Sequence, residues 1–209
     1  DYQKKNIKTV LEPSCGSCEF ITHLNNIYDN IIITGIELNQ VIYDSIKHLD
    51  KENVKLLNSN YLTYDENKKF DLILGNPPFF VMKKKEVDPI YHDYFDGRPN
   101  IFILFIIKSL QLLNENGILS FVLPKNFLNC LYYDKTRKYI HEKFTILTIL
   151  EFNDNQNFIN CDYSHSKDEN NKNEDLYPLA VTALKKLEKL TSINKKISSE
   201  TISNIKQLK

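Results

Sequence analysis

Polar breaks divide this chain into short apolar runs whose spacing alternates between strand and helix. Ile7–Leu11 (IKTVL) is an apolar run that enters a turn at Glu12–Ser17. In Cys18–Tyr28, residues Phe20, Ile21, Leu24 and Ile27 recur at helical spacing. Ile31–Ile36 (IIITGI) is β-branched and nearly all apolar, the pattern of a buried strand. Gln40–Leu49 returns to helical spacing through Val41, Ile42, Ile46 and Leu49, and Val54–Leu57 and Phe70–Leu74 read as two more strands. Asn100–Leu113 predicts a strongly apolar helix closed by Asn116-Gly117. Ile118–Leu123 predicts a fifth strand ended by Pro124, Asp134–Lys143 a helix, and Thr145–Phe152 a sixth strand. This alternation predicts an α/β fold: a doubly wound, mostly parallel sheet with helices on both faces.

The pattern changes near the carboxyl end. Residues 1–163 carry the alternation and predict one domain. Ser164–Asp175 (SHSKDENNKNED) is polar and charged, and reads as a linker or insertion. Residues 176–209 place Leu179, Leu184, Leu187 and Leu190 at helical spacing, which predicts a helical tail too short to be a domain of its own.

Composition adds limits rather than a function. With 209 residues and 42% apolar content, the chain can bury one substantial core. Lys plus Arg balances Asp plus Glu at 27 each, so overall charge does not mark a nucleic-acid binder, and only a local basic patch would serve. No apolar run approaches the ~18 residues of a membrane span, and the first residues do not read as a signal peptide. Four cysteines make no disulfide framework. They point to a reducing intracellular compartment such as the cytoplasm, or to host cytoplasm or virion for a viral protein.

The candidate chemistry lies at strand ends. LEPSCGSCEF at 11–20 follows the first strand and opens a helix, at the sheet edge where ligands of doubly wound folds bind. Gly16 lets the backbone approach a ligand there, although an ordinary strand-to-helix turn would also use one glycine. The stretch is neither a dinucleotide fingerprint nor a phosphate loop. Cys15 and Cys18 form a CxxC with no second pair, and the five histidines show no ligand spacing, so no metal site is expected. Glu37 ends the second strand, where an acid can accept hydrogen bonds from ribose hydroxyls. Asn60 follows the third strand, where an amide can read an adenine edge. Together Gly16, Glu37 and Asn60 describe a nucleoside pocket.

After the fourth strand comes DLILGNPPFF at 71–80. Two adjacent prolines cannot serve a sheet ladder, and they bias Asn76 away from helix. The result is a stiff, extended loop that can hold one amide and one aromatic ring in place.

The ordered set EPSCGS, IEL, NYL and NPPF resembles the S-adenosylmethionine-dependent amino-methyltransferases of DNA, most closely the gamma-type N6-adenine enzymes of restriction–modification systems. The resemblance covers roughly residues 7–160 and includes NIFILFIIKSLQLLNENGILSFVLPKNFL at 100–128. It implies the Rossmann-like class I methyltransferase fold, S-adenosyl-L-methionine as cofactor and double-stranded DNA as substrate. By this resemblance Glu12, Pro13 and the backbone of Ser14, Cys15 and Gly16 hold the methionine part of the cofactor. Glu37 binds the ribose hydroxyls. Asn60 contacts the adenine amine, and Ile36, Leu38, Tyr61 and Phe105 pack round the ring. Phe158 corresponds to a second aromatic that stacks on the target base. The family usually has glycine at the position of Cys18 and often aspartate at that of Asn60. It also carries a helical segment ahead of the first strand and a DNA-recognition domain beyond the catalytic one. The resemblance therefore implies that another domain or chain supplies recognition, with a cognate restriction endonuclease as a possible partner.

In this reading Asn76, Pro77, Pro78 and Phe79 are the catalytic loop. The Asn76 side chain and the Pro77 carbonyl accept the two hydrogens of an exocyclic amine, and Phe79 stacks on a base flipped out of the duplex. Phe80 is expected in the core and Phe79 outside it. Lys83, Lys84 and Lys85 follow directly, either as phosphate contacts or as a solvated loop. Two other readings stay open: amino-methylation of RNA or of a protein glutamine, and a non-catalytic scaffold that has kept the fold.

Overall fold

The computed structural model describes residues 7–65, 67–151 and 178–185. Among these residues seven strands form a single sheet: β1 Thr9–Glu12, β2 Ile32–Glu37, β3 Val54–Asn58, β4 Phe70–Gly75, β5 Leu113–Pro124, β6 Phe144–Glu151 and β7 Pro178–Lys185. Four α-helices of the described residues flank it: α1 Glu19–Ile27, α2 Gln40–Ile46, α3 Ile101–Gln111 and α4 Asp134–Lys143. The order across the sheet is β3-β2-β1-β4-β5-β7-β6. β1 to β5 pair in parallel, and β7 runs antiparallel between β5 and β6. The order therefore reverses between β1 and β4. At such a reversal the connections leave on opposite faces and open a crevice beyond the carboxyl ends of the strands.

Side chains alternate between the faces, as pleating requires. Val10, Ile33, Val54 and Leu56 pack on one face, with Ile21 and Ile46 of the first two helices. Leu11, Ile36 and Ile73 pack on the other, beneath α3. That helix is buried almost all round, because Val87, Tyr91 and Phe95 of the preceding segment cover its outer side. Its continuous apolar sequence follows from this second covering layer. At the opposite end of the sheet Asp71 fastens β4 to β1. Its carboxylate accepts from Lys8 N, Thr9 N and Thr9 Oγ1 at 3.0 Å each, and from Asn114 Nδ2 at 2.7 Å.

Three expectations change. Asn116-Gly117 does not close a helix: α3 ends at Gln111, and the pair lies within β5, where the β4 pairing shifts register between Phe70 and Leu72. Gly117 is required there, because a Cβ would lie 2.9 Å from both the Asn114 and Phe70 carbonyl oxygens. The second helix is shorter than its apolar spacing, with α2 giving way to a 3₁₀ turn at Lys47–Leu49. The helical tail is also corrected: Pro178–Lys185 is β7. The open edge of β5 offers a row of backbone partners, and tertiary pairing outweighs a weak helical spacing. Residues 186–209, which carry Leu187 and Leu190, and the polar stretch 164–175 lie outside the described residues. Among the described residues no helix is long and apolar enough to cross a membrane.

Candidate active site

Four strand ends meet at the crevice. After β1 the chain turns through Pro13–Ser17. The Cys15 N–H donates to the Ile36 carbonyl at 2.9 Å, and the Cys18 N–H donates to the Cys15 carbonyl at 2.7 Å. Gly16 has φ +48°, with no atom within 4 Å of where a Cβ would sit, so the turn borders open space. Cys18 caps α1 with φ 62° and ψ 33°, a left-handed conformation that costs an ordinary residue ~1–2 kcal/mol and glycine little. The glycine that the resemblance leads one to expect here thus has a backbone reason, and this chain forms the turn with a cysteine buried in the core.

Glu12 is 3% exposed, and its Oε2 has no hydrogen-bond partner. Burial pushes its carboxyl up to about 9. The Cys18 thiol and Glu19 add to the shift, and a hydrogen bond from the Ile21 N–H opposes it. A buried carboxyl oxygen without a partner is costly, and an approaching cation would relieve it.

At the tip of β2 the Glu37 carboxylate ties two turns together. Oε2 accepts from Gly16 N at 3.0 Å and Oε1 from Asn39 N at 2.7 Å. Each oxygen keeps a further lone pair, so two neighbouring hydroxyls could still donate to it. Asn58, which sequence reasoning passed over, holds this tip from β3: its Nδ2 donates to the Glu37 and Leu38 carbonyls at 3.0 and 3.3 Å. Asn60 caps the 3₁₀ turn Tyr61–Thr63, with its Oδ1 accepting from Leu62 N at 3.0 Å. Its Nδ2 and one Oδ1 lone pair remain to meet a ligand.

Of the residues expected around the cofactor ring, only Leu38 is exposed. Ile36, Tyr61 and Phe105 are buried and form the layer beneath. The Tyr61 and Phe105 rings lie 4.9 Å apart, and the Tyr61 hydroxyl is 2.8 Å from Ser109 Oγ. Lys108, also unanticipated, steadies this turn. Its Nζ donates to the Leu62 carbonyl at 3.1 Å and to the Tyr64 carbonyl, and lies 5.2 Å from the Tyr61 ring centroid. A single lysine within the apolar stretch of α3 was the available signal.

The Asn-Pro-Pro-Phe loop leaves β4 beside the β1 turn. Ser14 Oγ donates to the Asn76 carbonyl at 3.1 Å. Asn76 is exposed, Pro77 buried and Pro78 half-buried. The downstream end is fastened to the start of α3, with the Ile101 N–H donating to the Phe80 carbonyl at 2.9 Å and Met82 N–H to the Pro99 carbonyl at 2.8 Å. The phenylalanines are the reverse of expectation in one respect. Phe80 is 49% exposed, whereas Phe79 is half-buried and packs edge-on against Phe102 at 6.0 Å. Phe79 is held by the core at one edge, which fixes its ring. Phe158 lies outside the described residues. No group of three or more His, Cys, Asp or Glu side chains gathers for a metal ion among the described residues.

A parallel sheet that reverses between β1 and β4, with one antiparallel strand inserted before the edge, is the class I methyltransferase fold. A putative class I S-adenosylmethionine-dependent methyltransferase from Listeria monocytogenes shares it, with a TM-score of 0.67 at 14% identity over 97% of this chain and 65% of that one. Residues 16–158 match the family model described as Eco57I restriction-modification methylase, and the chain belongs to that family. Among similar proteins are the type II methyltransferase M.AccI of Acinetobacter calcoaceticus, 30% identical over 72% of this chain, and M.CvrRI of Paramecium bursaria Chlorella virus XZ-6E, 32% identical over 71%. This chain spans 30% and 38% of their respective lengths.

Proposed function

We propose that the protein to which this chain belongs transfers a methyl group from S-adenosyl-L-methionine to the exocyclic amine of an adenine flipped out of double-stranded DNA. The observation that carries the reading is the placement of the Asn-Pro-Pro-Phe loop directly beside the β1 turn. Acceptors for an amine thereby adjoin a turn that has open space at Gly16 and a buried carboxyl at Glu12 whose Oε2 has no partner. The residues fit the cofactor. Glu37 would take the ribose hydroxyls, Asn60 and Leu38 the adenine, and Glu12 with the Ser14–Gly16 backbone the methionine part. When bound, the cofactor supplies an electrophilic methyl on a sulfonium.

The chain's own groups prepare the nucleophile. An adenine amine is weakly nucleophilic because its lone pair is delocalised into the ring. The Asn76 Oδ1 and the Pro77 carbonyl would accept one hydrogen each and favour a pyramidal nitrogen. Positive charge grows on that nitrogen during transfer, and fixed acceptor dipoles stabilise it. The prolines limit backbone drift at the acceptors, and Phe79 offers its ring face to the base. No strong base is needed, because the methylated amine sheds its extra proton readily.

DNA recognition would come from another domain or chain, and a restriction endonuclease of matching specificity is the expected companion. The test is transfer of labelled methyl to unmodified DNA by the full-length protein, followed by nucleoside analysis. Label in 6-methyladenine is expected. Label in 4-methylcytosine, in RNA or in protein would overturn the substrate assignment.

A further inference from the structure

We propose that Ser14 is a positioning residue for methyl transfer: its hydroxyl latches the Asn76 carbonyl and so sets the direction of the two amine acceptors. This inference rests on the proposed adenine-methylating reading of the same site. Ser14 and Asn76 are 62 residues apart in sequence and lie on the turns that leave β1 and β4, which pair through Val10–Leu72 and Leu11–Ile73. The bond joins the two turns just beyond the last rungs of that ladder.

The loop needs such an anchor for a reason written in its sequence. Neither Pro77 nor Pro78 has an N–H, so the loop cannot fasten itself through its own amides at these positions. Proline fixes φ at 77 and 78. It only narrows ψ at Asn76, leaving a window of roughly 40°. That torsion turns the Asn76–Pro77 peptide plane and swings everything downstream relative to the Asn76 side chain. Over the few ångströms to the Pro77 carbonyl, a 20° error displaces an acceptor by about 1 Å, enough to cost about 100-fold in a positioned reaction. The Ser14 hydroxyl holds the oxygen of that plane.

Downstream, the Phe80 and Met82 backbone bonds and the Phe79–Phe102 contact hold the loop to α3. Ser14 is the corresponding anchor upstream. It also connects the loop to the cofactor turn, because Gly16, two residues on, is held by Glu37 Oε2. One turn thus ties the acceptor loop to the tip of β2. The serine side chain thereby takes a role separate from the backbone contacts of Ser14–Gly16 with the cofactor.

The experiment compares full-length wild type, Ser14→Ala and Ser14→Thr. It measures the single-turnover rate of adenine methylation, cofactor affinity by calorimetry, thermal midpoint, and fluorescence of 2-aminopurine at the target position. Ser14→Ala should lose about tenfold in rate, the worth of one hydrogen bond felt in the transition state, with cofactor affinity and midpoint unchanged. Ser14→Thr, which keeps the hydroxyl, should restore most of the rate. The 2-aminopurine signal should persist in Ser14→Ala, since this probe has no 6-amine and reports only entry of the base. A wild-type rate in Ser14→Ala overturns the latch while the proposed function stands. So does a rate loss matched by an equal loss of cofactor affinity. Failure of the wild-type protein to methylate adenine overturns the proposed function and the latch together.

Discussion

Cofactor binding should release a proton from Glu12. Its carboxyl is 3% exposed with Oε2 unpartnered, and burial raises it from 4.5 to about 9. The free protein therefore holds Glu12 neutral at pH 7. A cationic ligand group arriving beside it favours the carboxylate, so binding and ionisation are coupled. Ionising a group about two pH units below its pKa costs about 2.7 kcal/mol. That cost is subtracted from binding at pH 7 and disappears as the pH approaches 9. Affinity should consequently rise by up to about tenfold per pH unit between 7 and 9 and then level off. The assay is titration calorimetry in buffers of different ionisation enthalpy, which counts released protons directly. About one proton per bound cofactor is expected at pH 7, and Glu12→Gln should remove that release. Comparing the variant with wild type cancels the titration of the cofactor's own amino group, which falls near pH 8. No proton release, or the same pH slope in both proteins, would refute the role given to Glu12. In the free protein the same shift acts on folding. Because the folded value lies above the unfolded one, the contribution is fully present below pH 4.5 and is lost as the pH rises toward about 9.

Glu37→Ala should weaken cofactor binding at least tenfold by calorimetry, since the ribose hydroxyls lose an acceptor and the Gly16 and Asn39 amides lose theirs; unchanged affinity would remove the pocket from β2. Phe79→Ala should weaken capture of 2-aminopurine-labelled DNA by ~1–3 kcal/mol, whereas Phe79→Tyr should bind like wild type because the ring face is retained. Asp71→Ala should lower unfolding free energy by about 2 kcal/mol in denaturant titrations, because its partners on β1 and Asn114 lose a charged acceptor. Burial works against the Asp71 carboxylate, but hydrogen bonds from Asn114, Lys8 and Thr9 outweigh it and hold the carboxyl below 3.8. The stability Asp71 contributes is therefore present above that value and lost as the pH falls through the lower folded value, and the alanine variant should lack this acid-dependent loss.

The first six strands, the four helices and the strand-end positions of Glu12, Gly16, Glu37, Asn60 and Asn76 were legible because each depends on local signals. These are β-branched runs, helical spacing, and polar residues where an apolar run stops. The failures share a cause in non-local structure. β7 forms because β5 and β6 offer backbone partners on either side, which no window of sequence reveals. Phe79 and Phe80 are adjacent and chemically identical, and only the position of Phe102 decides which ring the core holds. Lys108 and Asn58 act on carbonyls of other segments, so their roles become visible only when those segments are in place. The left-handed backbone at Cys18 was likewise hidden, because a cysteine gives no sign of a conformation usually left to glycine.

In the proposed reaction Asn76 holds the reacting amine. The decisive measurement is the single-turnover rate of adenine methylation in full-length Asn76→Ala, with cofactor affinity measured on the same sample. The cofactor is assigned to the ends of β1 to β3, so its affinity should stay near wild type. The rate should fall on the order of 100-fold or more, as when one hydrogen bond aimed at a transition state is removed. A wild-type rate would show that Asn76 does not hold the amine, leaving the Asn-Pro-Pro-Phe segment as a turn between β4 and α3.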